Sequence, residues 1–176
     1  MYICHESKCD EFYDFNRMKI VYIDAQNLHK KTLEYHWLID WERFYVYLKQ
    51  NCKADVIYYA IYIQKYDALY KYLSSIGYAM LFKKVTLFSD GTIKNVDIDI
   101  AIRSIFDLFE ELTKAIVVSN DDYNTLVDVL KERNVFDRLL LPDGVTASQQ
   151  LKQSATYIQD IQRIRHLIEK DPDLAA

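Results

Sequence analysis

The stretch "IVVSNDD", Ile116 to Asp122, decides the fold. Its β-branched start is suited to a strand buried on both faces. The run then stops on a serine, an asparagine and two adjacent aspartates. A second run, "IVYID" at Ile20 to Asp24, follows the same plan. Two apolar strands that both end on carboxylates point to a site at one edge of a sheet.

Between and around these runs the pattern alternates. Lys19 to Asp24 is expected as a short buried strand followed by a loop. Trp41, Phe44, Tyr45 and Leu48 mark a helix capped by Asp40. "ADVIYYAIYI", Ala54 to Ile63, reads as a central strand, and Tyr66, Leu69, Tyr70 and Leu73 as a helix ended by Gly77. Tyr78 to Phe82 is the next strand. Asp90-Gly91 sits between β-prone runs as a hairpin turn. A helix follows, capped by Asn95, with Ala101, Ile105, Leu108 and Leu112 on one stripe. Ala115 to Ser119 is a strand, Asp122 to Arg133 a helix, and Val135 to Leu141 a last strand stopped by Pro142. Tyr157, Ile161, Ile164 and Ile168 then repeat at helical spacing. Strands alternating with helices of this kind imply an α/β fold with a mostly parallel sheet covered by helices on both faces.

With 176 residues, 51% hydrophobic and 27% charged, and only three glycines and two prolines, the chain has the length and composition of one stable core. The expected organisation is an extension over residues 1–17, a domain over 18–145 and a helical tail over 146–176. Met18 heads "MKIVYID", a natural start for that domain. The tail is expected to dock on the domain or on a partner, which leaves a homodimer open. No stretch approaches the ~20 apolar residues of a spanning helix, and the first residues do not form a signal peptide. A cytoplasmic address and no membrane partner are expected. Cys4, His5 and Cys9 are too few for a structural zinc site, and three cysteines make no disulfide framework.

The net charge of −4 means that a nucleic acid is not attracted by the molecule as a whole. A local rim would be needed, and Lys30, Lys31, Lys83, Lys84, Lys94 and Arg103 are its candidates. Most of the fifteen tyrosines are expected as ordinary sheet residues rather than stacking platforms.

Sites of open α/β sheets form beyond the carboxyl ends of the strands, where strand order reverses. Asp24 and the group Ser119, Asn120, Asp121 and Asp122 belong there. Asp97 lies four and eight residues before Ala101 and Ile105, which places it on the inward stripe of its helix. Asp99, turned away by about 200°, is expected on the solvated face with Arg103, Asp107 and Glu110. Each acid also has a plain structural use: Asp121 or Asp122 as a helix cap, Asp24 as a turn anchor, Asp97 as a complement to the helix dipole. Convergence favours more than that. Two carboxylates about 4 Å apart repel by about 4 kcal/mol at an effective dielectric of about 20, so a cluster calls for a cation. Oxygen ligands alone suit Mg²⁺ or Mn²⁺, which can acidify a bound water and steady a phosphodiester under in-line attack.

"YIDAQNL", "KNVDIDIAI" and "IVVSNDDYNTLVDVL" resemble, in order, the three acidic motifs of the NYN domain family of PIN-like metal-dependent ribonucleases. The resemblance spans roughly Met18 to Leu141, and the tail resembles the end of some small bacterial members. It implies a Rossmann-like three-layer α/β/α sandwich of strand order 3-2-1-4-5, a Mg²⁺ or Mn²⁺ site, and cleavage of single-stranded or structured RNA leaving a 5′-phosphate. It implies Asp24, Asp97 and Asp122 as metal ligands, with Asp121 completing the catalytic set. Asn27, Lys94, Ser119 and Asn120 are implied as substrate-binding neighbours. The third motif departs from the family pattern Ser-Gly-Asp-x-Asp-Phe: Ser119-Asn120-Asp121-Asp122-Tyr123 is one residue shorter and has Asn for Gly. Many relatives carry an acid where Arg103 stands.

The alternative is a catalytically weak or inactive PIN-like module that binds RNA or protein. Phosphotransfer folds fit less well: a haloacid-dehalogenase-like phosphatase needs Asp-x-Asp where this chain has Asp24-Ala25-Gln26, and a receiver domain places its acidic pair after the first strand.

Overall fold

The computed structural model describes residues 18–61, 67–82, 85–87, 93–95, 98–109, 113–119, 123–154 and 157–171. The chain starts its first strand, β1 (Met18–Asp24), on the run Ile20 to Asp24, every residue of which is buried. No loop follows. Asp24 accepts a hydrogen bond from the Asn27 N–H as the N-cap of helix α1 (Ala25–Glu34), where a loop was expected. Helix α2 (Trp41–Asn51) is capped by Asp40 as expected and buries Phe44, Tyr47 and Leu48. Strand β2 (Val56–Ile61) leads through residues outside the described set to α3 (Asp67–Ile76), which buries Tyr70 and Leu73. Gly77 ends α3 with φ +120°, a value that L side chains rarely adopt. Strand β3 (Ala79–Phe82) follows.

The hairpin is present: β4 (Val85–Leu87) pairs antiparallel with β5 (Ile93–Asn95). Asn95 therefore ends a strand and does not cap the helix, which begins as α4 (Ile98–Phe109). The expected stripe of α4 also shifts. Ile100, Ser104 and Asp107 are buried, while Ile105 is 38% exposed. Asp107, read from sequence as solvated, is covered. Asp97, read from the sequence as the inward end of this helix, lies outside the described residues. Strand β6 (Thr113–Val118), helix α5 (Asn124–Glu132) and strand β7 (Phe136–Leu141) complete the expected alternation, with α5 starting two residues later than read.

The tail is not one helix. After α6 (Gln149–Ser154) comes strand β8 (Ile158–Asp160), then a 3₁₀ turn (Ile161–Ile164) and the short helix α7 (Arg165–Ile168). β8 pairs with β7, so the sheet gains a strand at that edge. Its order is β3-β2-β1-β6-β7-β8, and every pairing is parallel. In the count of main-sheet strands this is 3-2-1-4-5 with a sixth added. The 161/164/168 periodicity is satisfied by the turn and short helix, which bury all three isoleucines. Full burial of an isoleucine is worth about 1.5–3 kcal/mol, so this tail carries part of the core.

Side chains alternate between two cores on opposite faces. Val21, Ile23, Ile116, Val118 and Leu140 join α1, α2 and α3 on the first. Ile20, Tyr22, Ala115, Val117, Leu139 and Leu141 join α4 and α5 on the second. This period of two sets the site: Asp24 continues the series Ile20, Tyr22, and Ser119 continues Ala115, Val117.

Candidate active site

Strand β1 is the switch point. Its neighbours are β2 on one side and β6 on the other, and Ile23 stands beside Val118 in the β1–β6 register. The next residues on each strand, Asp24 and Ser119, are thereby brought to the same point of the carboxyl edge. Both are buried, Asp24 to 1% exposure. A buried carboxylate is strongly unfavourable unless it is hydrogen-bonded. Asp24 is: Asn27 donates its backbone N–H to Oδ1 at 3.3 Å and its side-chain amide to Oδ2 at 2.9 Å. Tyr123, itself buried, donates its hydroxyl to Oδ2 at 3.1 Å. Asn27 was expected as the polar companion of the first acid; Tyr123 was not read as a site residue. The one signal for it in the sequence was a tyrosine where the family pattern has phenylalanine.

Ser119 follows β6 beside Asp24, and Tyr123 reaches Asp24 with its side-chain hydroxyl. Asn120, Asp121 and Asp122 themselves lie outside the described residues, as does Asp97. The same holds for Cys4, His5, Cys9, Lys83 and Lys84. Lys94 belongs to β5 and Asp99 to the first turn of α4. Among the described residues no group of three or more His, Cys, Asp or Glu side chains is placed to hold a metal ion.

Two observations bear on whether the residues fit a cation. The first is the chemistry of Asp24, an oxygen donor set firmly at the switch point by three hydrogen bonds from nearby groups. The second is Asn124, the first residue of α5 and the sequence neighbour of Tyr123, whose side-chain carbonyl oxygen is buried with no hydrogen-bond partner among the described residues; its sequence position alone relates it to Asp24. Oxygen donors of this kind suit Mg²⁺ or Mn²⁺.

Arg103, a candidate for the basic rim, is held by an acid and a tyrosine. It pairs with Asp107, with Nη2 2.8 Å from Oδ1, and donates to the Tyr58 hydroxyl at 2.7 Å. Tyr22 donates to the other Asp107 oxygen at 2.8 Å and stacks on Tyr58. Burial, and then the hydrogen bond to Asp107, push the Tyr22 hydroxyl far above its ordinary range, so it remains a donor. Asp107 is thus the centre of a polar knot on the second-core face, two residues of β1 away from Asp24. Lys31 is taken up by Glu34 at 2.7 Å. The Cys52 thiol is buried and pushed up by that burial, which leaves it a core residue rather than a nucleophile. Most described tyrosines are sheet or core residues, as expected: Tyr22, Tyr47, Tyr59, Tyr70, Tyr78 and Tyr123 are buried.

Comparison with known proteins agrees with this geometry. The NYN domain family model matches residues 19–162, most of the chain. The chain belongs to the NYN domain family. Members of this family are generally nucleases of PIN-like fold that depend on divalent metals. The crystal structure of a protein of unknown function from Vibrio parahaemolyticus is similar to this NYN domain with a TM-score of 0.69 at 21% identity, covering 82% of this chain and 93% of that one. At that identity the likeness speaks for the fold. No curated protein matches the chain. Among the described residues of this NYN domain, no helix is long and apolar enough to cross a membrane.

Proposed function

We propose that this NYN domain is a metal-dependent ribonuclease, acting in the cytoplasm, that hydrolyses RNA phosphodiesters at the carboxyl edge of its sheet. The observation that carries the reading is the buried Asp24 carboxylate at the switch point, held by Asn27 and Tyr123 against the ends of the third acidic motif. Asp24, Asp97 and Asp122 would hold Mg²⁺ or Mn²⁺, which when bound supplies an acidified water and charge stabilisation at the phosphate. Asn27 and Tyr123 fix the rotamer of Asp24, so that its orientation is set before substrate arrives. Ser119 follows β6 at this edge, where its hydroxyl can donate to a phosphate oxygen, Asn120 is proposed as its substrate-binding neighbour, and the amino ends of α1 and α5 add favourable dipoles. Asp121 completes the acidic set, and Lys94 offers a cation to a flanking phosphate.

The purified protein is expected to cleave single-stranded RNA with Mn²⁺, and Asp24→Asn and Asp122→Asn to abolish that cleavage. Parental cleavage by both variants, or none by the parent, sinks the reading. A specific observation supports the alternative of an inactive binding module: Asp24 is also the N-cap of α1, a complete structural role that needs no metal. Under that alternative, Asp24→Asn lowers stability while Mn²⁺ binding is absent in parent and variant alike.

A further inference from the structure

On the first-core face, between α1 and α3, lies a cavity of about 860 Å³, within the range of about 300–1,000 Å³ usual for small-ligand sites. Its near end is formed by Ala25 and Gln26, the two residues that follow Asp24. Its wall includes Tyr59, whose strand successor Ala60 is the β2 register partner of Asp24. The cavity and the Asp24 carboxylate therefore share the carboxyl edge of the sheet, one on each face.

The lining is aromatic and apolar with a cationic rim. Trp41 and Tyr59 meet edge to face with centroids 4.9 Å apart, and both meet Tyr78, so these walls are set by packing before any ligand arrives. Tyr72 stands at the mouth, 42% exposed. His29, Lys30 and Lys170 contribute cationic or ionisable groups. Among the described lining residues the carboxylate is Asp40, which is engaged with Arg43, accepting its N–H at 3.0 Å with the Arg43 side chain at 3.6 Å, and a second carboxylate, Glu42, stands by the Tyr72 hydroxyl at the mouth. A slot with aromatic walls and with Lys30 and Lys170 on its rim, on a protein of net charge −4, is complementary to a nucleobase whose flanking phosphates run along the lysine side, away from Asp40 and Glu42. A base within a duplex has both faces stacked and cannot enter.

We infer that this cavity holds one unpaired base of an RNA strand, a neighbour of the nucleotide whose phosphodiester lies at Asp24. The inference rests on the ribonuclease reading for the identity of the polymer, and it specifies single-stranded substrate. Tyr72 stacks on the base, and Lys30 and Lys170 meet the phosphates beside it.

The test separates binding from cleavage. A short fluorescein-labelled oligoadenylate is titrated with the full chain in chelator, as a single strand and annealed to its complement. Base–aromatic stacking is worth about 1–3 kcal/mol, so Tyr72→Ala should weaken single-strand binding by about 5- to 150-fold. Lys30→Glu should lower the salt slope by about one contact's worth, about 0.7 for a single strand. Lys131→Glu, on helix α5, is the charge-matched control and should change neither the affinity nor the slope, with circular dichroism reporting that all variants fold. Unchanged affinity in both cavity variants overturns the inference, as does equal binding of the duplex. Displacement of the strand by adenosine monophosphate at lower concentration than by unlabelled strand also overturns it, in favour of a free-nucleotide site. Cavity-dependent binding without Mn²⁺-supported cleavage refutes the ribonuclease reading alone. Cleavage with the parental KM in Tyr72→Ala refutes the cavity alone.

Discussion

Tyr123→Phe removes one oxygen and keeps the ring in the second core. The lost group donates to a carboxylate that is 1% exposed, at 3.1 Å, from a side chain that is itself buried. A hydrogen bond to a charged group contributes about 1.5–3 kcal/mol. Asn27 still donates to the same oxygen at 2.9 Å, so the low half of that range, about 2 kcal/mol, is expected. For a domain of this size that is a fall in Tm of about 4–8 °C. Partners that orient a metal ligand typically change metal affinity or activity about 10- to 100-fold when removed, and Mn²⁺ affinity should fall by about tenfold. The assay is a double-mutant cycle with Asp24→Ala, read by urea denaturation at neutral pH and by Mn²⁺ calorimetry. Once Asp24 is gone, Tyr123→Phe should cost under about 0.5 kcal/mol, the limit for uncoupled sites. An equal loss in both backgrounds, or none in either, refutes the claim that Tyr123 acts through Asp24.

The Asp107 knot gives a second prediction. Asp107→Ala leaves the buried Tyr22 hydroxyl without its acceptor and Arg103 without its ion pair, and denaturation should show a loss of about 2–3 kcal/mol; Arg103→Ala, at a partly exposed position, should lose less. A third concerns acid. Burial pushes the Asp143 carboxyl up, but the Thr146 hydroxyl, the Val145 N–H and the Tyr35 hydroxyl outweigh it and hold it below its ordinary value. A depressed carboxyl stabilises above its unfolded pKa, about 4, and the contribution vanishes as pH falls through the lower folded value. Thr146→Val should thus be less stable than the parent at pH 6, with the gap closing below about pH 4; a gap independent of pH contradicts this.

The main strands were legible because both of their faces are covered, which leaves β-branched runs with an abrupt polar stop. Helix α1 was not, because its inward positions are Ala25, Leu28 and Thr32, too weak an apolar stripe to register, and because Asp24 serves as both the end of a strand and a cap. The tail misled for the opposite reason. Its isoleucines are spaced as on a helix, but Ile158 to Asp160 gain more by pairing with the open edge of β7. On α4 the expected stripe followed hydrophobicity alone and so missed Ser104, which is satisfied by the Ala101 carbonyl of its own helix, and Asp107, whose partner Tyr22 is far away in sequence. At the site, the first acid and its companion Asn27 were readable from a short motif. The Tyr123 hydroxyl was not, since its acceptor lies 99 positions upstream and only the β1–β6 register makes them neighbours.

The central claim is that the carboxylates of this sheet edge hold one divalent cation. A crystal of the protein soaked in Mn²⁺ tests it most directly. An anomalous peak bound by the side-chain oxygens of Asp24, Asp97 and Asp122 is the predicted result. A well-ordered edge with no peak there, and Asp24 still engaged only by protein donors such as Asn27 and Tyr123, would contradict it.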